Sequence, residues 1–334
     1  MISFLHLRSY AFICGFLLLL LFCTAAFADV TLYTSVDEPY ARPIIEKFTK
    51  QTGIKVKLVT DAEAMKTIGL VERLRAEKER PRCDVWWGNE PFHTANLAEE
   101  GMFEPYESTS ANDVRELFRD KQNRWTGNGI RARVIAKRQP DANSQTLRID
   151  ILDDLLQPEL KGKIVMGKPA VGTIGGHVSA IYALRGKSGG DAFFRGLKAN
   201  DIVLVGGNSP VPQQIAAGNF VAGLTDNDDV SATKGNVTMV LPGQADGMMG
   251  TLAIPTTVAL VKRNDIDPGS KKLIDYLLSE STEKALIDAK FAGWSVRAPE
   301  AQFRAMKIDY LEVAKSMPAA VRRAQAILEG REPE

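Results

Sequence analysis

The feature that most constrains this chain is the alternation of short apolar runs with amphipathic segments of helix length. "VTLYTS" (30–35), "IKVKLVT" (54–60) and "CDVWWG" (83–88) read as strands. "DEPYARPIIEKFTKQTG" and "AMKTIGLVERLRAEKER" lie between them, and "EPFHTANLAEEG" follows. Tyr40, Ile44, Ile45 and Phe48 recur at helical spacing on one face. Asp37 suits the helix cap, Pro39 the first turn and Gly53 the position after the last turn. A strand–helix–strand repeat of this kind predicts a parallel sheet with crossover helices, and hence an α/β protein.

The pattern resumes with "GKIVMGK", the Gly-rich turn and helix "GTIGGHVSAIYALRG", "DIVLVGG", the short helix "SPVPQQIAAGN" and "FVAGLTD". Between the two sets lies "RARVIAKR" (131–138), and "IPTTVALVKR" (254–263) follows the second. Two such extended strands crossing between two lobes form a hinge. The expected organisation is an N-lobe of residues 29–130 plus about 255–300, a C-lobe of residues 131–254, and C-terminal helices over 301–334. That tail reads as separate helical stretches, the last two being "MKIDYLEVAKSM" and "AVRRAQAILEG".

Residues 1–28 stand apart. Arg8 precedes an apolar run, and Ala26-Phe27-Ala28 gives a small–x–small cleavage pattern before Asp29, as in a secretory signal peptide. The run approaches bilayer-spanning length, so an uncleaved anchor is the alternative. Phe22 speaks against a lipoprotein site at Cys23. Cleavage leaves Cys83 as the single cysteine, so no internal disulfide is expected. The formal net charge of +1 gives no electrostatic case for nucleic acid or an anionic membrane surface. No histidine–cysteine cluster suits zinc, and no Ser-His-Asp spacing stands out. His93 and His177 read as packing or surface residues.

Ligands of open α/β sheets bind beyond the carboxyl ends of the strands. Ser35, Asp37 and Glu38 follow the first strand, Asn89 and Glu90 the third. "PAVGTIGGH", with Thr173, follows "GKIVMGK"; it lacks the Lys-Ser/Thr of a Walker loop but can cradle an anion at a helix start. Asn208 and Ser209 follow "DIVLVGG". Thr225, Asp226, Asn227, Asp228 and Asp229 follow "FVAGL", placing three carboxylates within four positions. Charges this close repel unless solvent, a cation or a helix N-terminus relieves them. Capping alone accounts for Asp37 or Asn89, and a solvated turn is the plain alternative for the aspartates. Trp86 and Trp87 alternate across their strand, so one belongs to the core and the other, Trp87, is placed at the cleft.

"LYTSVDEPYARPIIEKFTKQTGIKV", "CDVWWGNEPFHTANLAEEGMFEPY", "LKGKIVMGKPAVGTIGGH" and "GNSPVPQQIAAGNFVAGLTDNDD" together resemble the ferric-ion-binding, bacterial transferrin-like branch of ABC-transporter solute-binding proteins. The resemblance implies a type II-like fold of two α/β lobes, each a mostly parallel sheet flanked by helices, with two crossing hinge strands and the ligand in the cleft. It implies a metal ligand at Asp37 and a second at Asn89 with Glu90 adjacent. It places a synergistic anion on Thr173 and Asn208-Ser209. The family's Tyr-Tyr pair is replaced here by Asp228-Asp229, which removes phenolate coordination but keeps hard oxygen donors.

The expected protein is therefore a periplasmic, monomeric binding component of an ABC importer, delivering cargo to an inner-membrane permease. It is not an enzyme and carries no organic cofactor. The favoured cargo is a metal cation, with iron plus an anion as one candidate, held by Asp37, Glu90, Asp228 and Asp229. Ser35, Trp87, Asn89, Thr173, Asn208, Ser209 and Asp226 complete the expected site. In this reading the aspartates repel until a cation arrives and so keep the empty lobes apart. The rivals are a polyamine or other organic cation, a phosphonate-type anion, a secreted divalent-metal enzyme using Asp226 and Asp228, and a sensory receptor.

Overall fold

The computed structural model describes residues 29–60, 68–139, 147–170, 172–297 and 303–333; the expected signal peptide lies outside them. β1 (Val30–Thr34), β2 (Val56–Thr60) and β3 (Val85–Gly88) pair in parallel, with β1 in the middle. α1 (Glu38–Thr52) and α2 (Ile68–Ala76) are their crossovers, and α3 (Pro91–Glu99) follows β3. α1 buries Ala41, Ile44, Ile45 and Phe48, the face expected from the periodicity. It ends at Gly53, whose φ of 75° is the left-handed conformation glycine adopts at least cost, and the Gly53 N–H closes the last turn on Thr49 O.

After the two-residue β4 (Phe103–Glu104) comes β5 (Thr126–Arg138), thirteen residues long. The second set is β6 (Ile164–Gly167), α4 (Gly172–Ala199), β7 (Val203–Val205), α5 (Pro210–Ala216), β8 (Ala222–Asp226), α6 (Asn227–Ala232) and β9 (Val237–Val240). β10 (Ala253–Val261) then leads to α7 (Pro268–Leu277), α8 (Glu280–Asp288) and α9 (Tyr310–Leu328). The strands run in the order β2-β1-β3-β10-β5-β8-β6-β7, with β4 beside β10 and β9 beside β5. β6, β7 and β8 are mutually parallel, like β1–β3.

The two halves meet through β5. Its first part, Thr126–Ala132, pairs antiparallel with β10, and its second part, Arg133–Lys137, with β8. The chain crosses from one lobe to the other on β5 and returns on β10. Both strands are buried along nearly their whole length, which explains their continuous apolar reading.

The tail departs from expectation. The last two helical stretches are one helix, α9, which runs through Pro318. Its buried face, including Val313, Met317, Val321, Ala324 and Ile327, sustains the helix across the proline. α9 packs on α4 in one lobe and on α3 in the other. The Tyr310 hydroxyl donates to Ala253 O at 2.9 Å, and the Ser179 hydroxyl donates to Val313 O at 2.8 Å. α4 in turn breaks at Gly186, where φ is 68° and ψ 174°. Phe92 of α3 packs on Gly176 of α4, so close that a Cβ there would stand 2.0 Å from the ring.

The cap of α3 is an ion pair. Glu90 is 1% exposed and accepts from Phe92 N at 2.7 Å, His93 N at 3.1 Å and His93 Nδ1 at 2.7 Å. Burial opposes charge on Glu90, but His93 and the two amides outweigh it, so its pKa is lowered. Burial also opposes charge on His93, and Glu90 outweighs it, so its pKa is raised. A raised histidine stabilises fully below its unfolded value of 6.5 and loses that contribution as pH rises through its folded value. The melting temperature should therefore fall as pH climbs above 6.5, and His93→Ala should flatten that slope. Thermal melts across pH 6–9 check this, and an unchanged slope in the variant contradicts it.

Candidate functional site

The carboxyl ends of the parallel strands bring the polar turns together. Asp226 ends β8 and is 2% exposed. Asp228 and Asp229 lie in the first turn of α6. Each of the three offers a carboxylate oxygen, and these oxygens all lie within 4.8 Å of one another. The knot of charge legible in the sequence is thus real in three dimensions.

Its relief comes from a direction the sequence did not announce. β5 carries Arg131 and Arg133 on one face, because side chains two apart on a strand share a side. Arg133 stands directly opposite Asp226 in the β5–β8 pairing. Its Nη1 donates to Asp226 Oδ1 at 2.8 Å and to Asn208 Oδ1 at 2.7 Å. Asp226 Oδ2 accepts from Thr173 Oγ1 at 2.8 Å and from Asn208 Nδ2 at 3.0 Å. Arg133 is 1% exposed and its Nε faces His177 Nδ1 at 3.5 Å. Burial and the charge of Arg133 hold the His177 imidazole well below its ordinary pKa, so it stays neutral.

Arg131 meets the remaining acids more loosely. Its Nη1 lies 3.2 Å from Asp228 Oδ2 and 3.5 Å from Asp226 Oδ2. Its Nη2 donates to Asn89 O at 2.7 Å, and its guanidinium stands 5.2 Å above the Phe291 ring. Asp228 Oδ1 and Arg131 Nε are buried without a hydrogen-bond partner. Burial pushes the Asp228 carboxyl up to about 6, opposed by Arg131 and reinforced by Asp226 and Asp229. Asp229 is raised by burial and by Asp226, with Ser209 opposing. Its Oδ1 accepts from Ser209 Oγ at 2.7 Å and its Oδ2 from Thr225 Oγ1 at 3.1 Å. Asp229 also borders a groove of about 640 Å³ between α5 and α6, lined by Gln213, Thr233 and Lys234 among others. That volume falls within the range of small-molecule sites.

Several expected residues take other roles. Glu90 is not part of the carboxylate cluster; both its oxygens serve the start of α3 and His93. Trp87, like Trp86, is 0% exposed and belongs to the core. Ser35 and Asn89 bond to one another across β1 and β3, with Asn89 N donating to Ser35 Oγ at 2.9 Å. Asp37 begins α1 and receives Tyr40 N and Ala41 N on its carbonyl; it too lies outside the cluster. Thr173, Asn208 and Ser209 turn their side chains onto the aspartates. Two guanidiniums offset two of the three carboxylate charges, through ion pairs to Asp226 and Asp228, which weakens the expected repulsion. Arg131 and Arg133 escaped notice inside an apolar strand, although two arginines spaced by one residue in a buried run are the signal that marks them.

Removing one member of a buried pair leaves the other charge stranded. Arg133→Ala is expected to cost about 3–5 kcal/mol on that ground. Arg133→Met combined with Asp226→Leu should recover most of the loss. Urea unfolding measures both, and equal losses in the single and double variants would contradict charge compensation.

Comparison with known proteins agrees with this architecture. The chain is 24% identical over 309 residues to "Iron uptake protein A1" of Synechocystis, covering 87% of this chain and 84% of the relative. It is 24% identical over 269 residues to a "Putative 2-aminoethylphosphonate-binding periplasmic protein" of Salmonella typhimurium, covering 78% and 75%. The fold matches that of a ferric binding protein from Campylobacter jejuni with a TM-score of 0.75 at 20% identity, covering 90% of this chain and 99% of the other. The family model for bacterial extracellular solute-binding proteins matches residues 30–291, and the chain belongs to that family.

Proposed function

We propose that this chain is the periplasmic binding component of an ABC importer. It captures a hard metal cation, ferric iron foremost, and delivers it to the permease. The observation that carries this reading is the cluster of Asp226, Asp228 and Asp229, in which Asp228 Oδ1 is buried without a hydrogen-bond partner. Carboxylate oxygens suit hard cations. The name of the Synechocystis relative supports iron as cargo. Asp228 and Asp229 are the principal ligands. Asp226, engaged by Arg133, Thr173 and Asn208, positions them. Asp37 is the candidate ligand from the opposite lobe, and an anion bound alongside completes the coordination.

A second reading has its own observation. Two arginines beside three carboxylates make a site of mixed charge. Such a site suits a zwitterion whose ammonium group meets Asp228 and Asp229, and the Salmonella relative's name supports it.

Thermal shift on the chelator-stripped chain tests both readings. The panel holds ferric nitrilotriacetate, Mn²⁺ and Ca²⁺, each with and without citrate or phosphate, together with putrescine and 2-aminoethylphosphonate. A ligand at about 100 times its Kd stabilises by roughly 2.7 kcal/mol. A shift with a metal that vanishes in Asp228→Ala/Asp229→Ala is the expected result. A shift with 2-aminoethylphosphonate alone moves the reading to the zwitterion. No shift with any probe rejects both.

A further inference from the structure

We propose that the N-lobe carries a second ligand site, remote from the acidic turn. It takes a small organic anion with an apolar body, a medium-chain or aromatic carboxylate. The site stands independently of the reading of Asp228 and Asp229 as cation ligands.

The site lies at the amino end of β3. Asp84 precedes that strand and Asn89 follows it, so the length of β3 separates this end from the turns of the cleft. A cavity of about 320 Å³ opens there, bordered by the ends of α2, α3 and β10. That volume is at the small end of the range for small-molecule sites. Backbone bonds set its walls. Lys262 N donates to Met102 O at 2.9 Å, Val261 N to Asp84 O at 3.0 Å, and Met102 N to Leu97 O at 3.0 Å. The cavity is thus built by the fold and needs no rearrangement to form.

The lining has two parts. Leu74, Met102 and Val261 are buried and, with Pro81, give an apolar floor. Lys78, Arg82, Lys262 and Arg263 line it as well, together with Glu77 and Glu79. Several of these charges are already engaged. The Glu77 carboxylate accepts from the Tyr33 hydroxyl at 3.0 Å and from Arg73 Nε at 2.9 Å. Arg263 pairs with Asp84. Lys78 Nζ donates to Glu100 O at 2.7 Å and so covers the negative end of α3. Among the described residues, Arg82, Lys262 and Glu79 have no side-chain hydrogen bond or ion pair. Two unengaged cations against one unengaged acid leave the rim positive. A carboxylate held by Arg82 and Lys262 gains charge-assisted hydrogen bonds, and its hydrocarbon gains from leaving water on the floor. A bare anion has only the first gain, and an alkylammonium meets the wrong charge. The site belongs to one lobe, so closure of the two lobes on cargo leaves it intact.

Ligand-observed NMR on the full chain tests this. The probes are octanoate and benzoate, with acetate as an anion lacking the apolar body and octylamine as a chain of opposite charge. Octanoate and benzoate should bind, and acetate and octylamine should bind at least about ten-fold more weakly. Arg82→Ala/Lys262→Ala should weaken octanoate by about ten-fold or more, the loss expected for two charge-assisted contacts. Both side chains are exposed, so the variant keeps the fold. Asp228→Ala/Asp229→Ala should leave octanoate binding unchanged, which separates this site from the cation site. Octanoate binding that survives intact in Arg82→Ala/Lys262→Ala would overturn the proposal. So would equal binding of acetate or octylamine, loss of octanoate in the aspartate variant, or no binding of either probe.

Discussion

The buried pair between Arg133 and Asp226 is the interaction on which the rest of the site depends. Both groups are almost wholly removed from water, and each would carry a large desolvation penalty alone. Together they join the hinge strand β5 to β8, the strand that presents the acidic turn. Thr173 at the start of α4 and Asn208 ahead of α5 attach to the same pair. One ion pair thus fixes the ends of three neighbouring chain segments. With Asp226 locked, Asp228 and Asp229 follow in the first turn of α6.

The fold delivers this arrangement through ordinary means. Parallel strands point their carboxyl ends the same way, so the turns after β6, β7 and β8 converge. The antiparallel register of β5 against β8 then places arginine opposite aspartate. The crossover of β5 from one lobe to the other puts Arg131 at the border, where it reaches Asn89 on one side and Asp228 on the other. α9 packs on both lobes and so spans the hinge.

Much of this was legible in the sequence because it is local. The periodicity of Ile44, Ile45 and Phe48 marked the buried face of α1, and Gly53 marked its end. The spacing of Asp226, Asp228 and Asp229 ensured their proximity, since neighbours in a turn cannot lie far apart. The partners were not legible, because Arg131 and Arg133 stand 97 and 93 residues from the acids they pair with. Only strand register connects them, and register is a property of the assembled sheet. Glu90 misled for the opposite reason. An acid at a helix start serves equally well as cap or ligand, and only the folded position of His93 decides for the cap. Trp87 alternates with Trp86 as expected, yet both faces of β3 are covered, so alternation says nothing about exposure there. The last two helical stretches read as separate, but the apolar face of α9 carries one helix across Pro318.

The central claim is that Asp228 and Asp229 hold a cation. Anomalous diffraction at the iron edge, on crystals of the chain grown with ferric nitrilotriacetate, tests it most directly. The account predicts one anomalous peak within coordination distance of an oxygen from each of Asp228 and Asp229. A peak remote from both aspartates would contradict it.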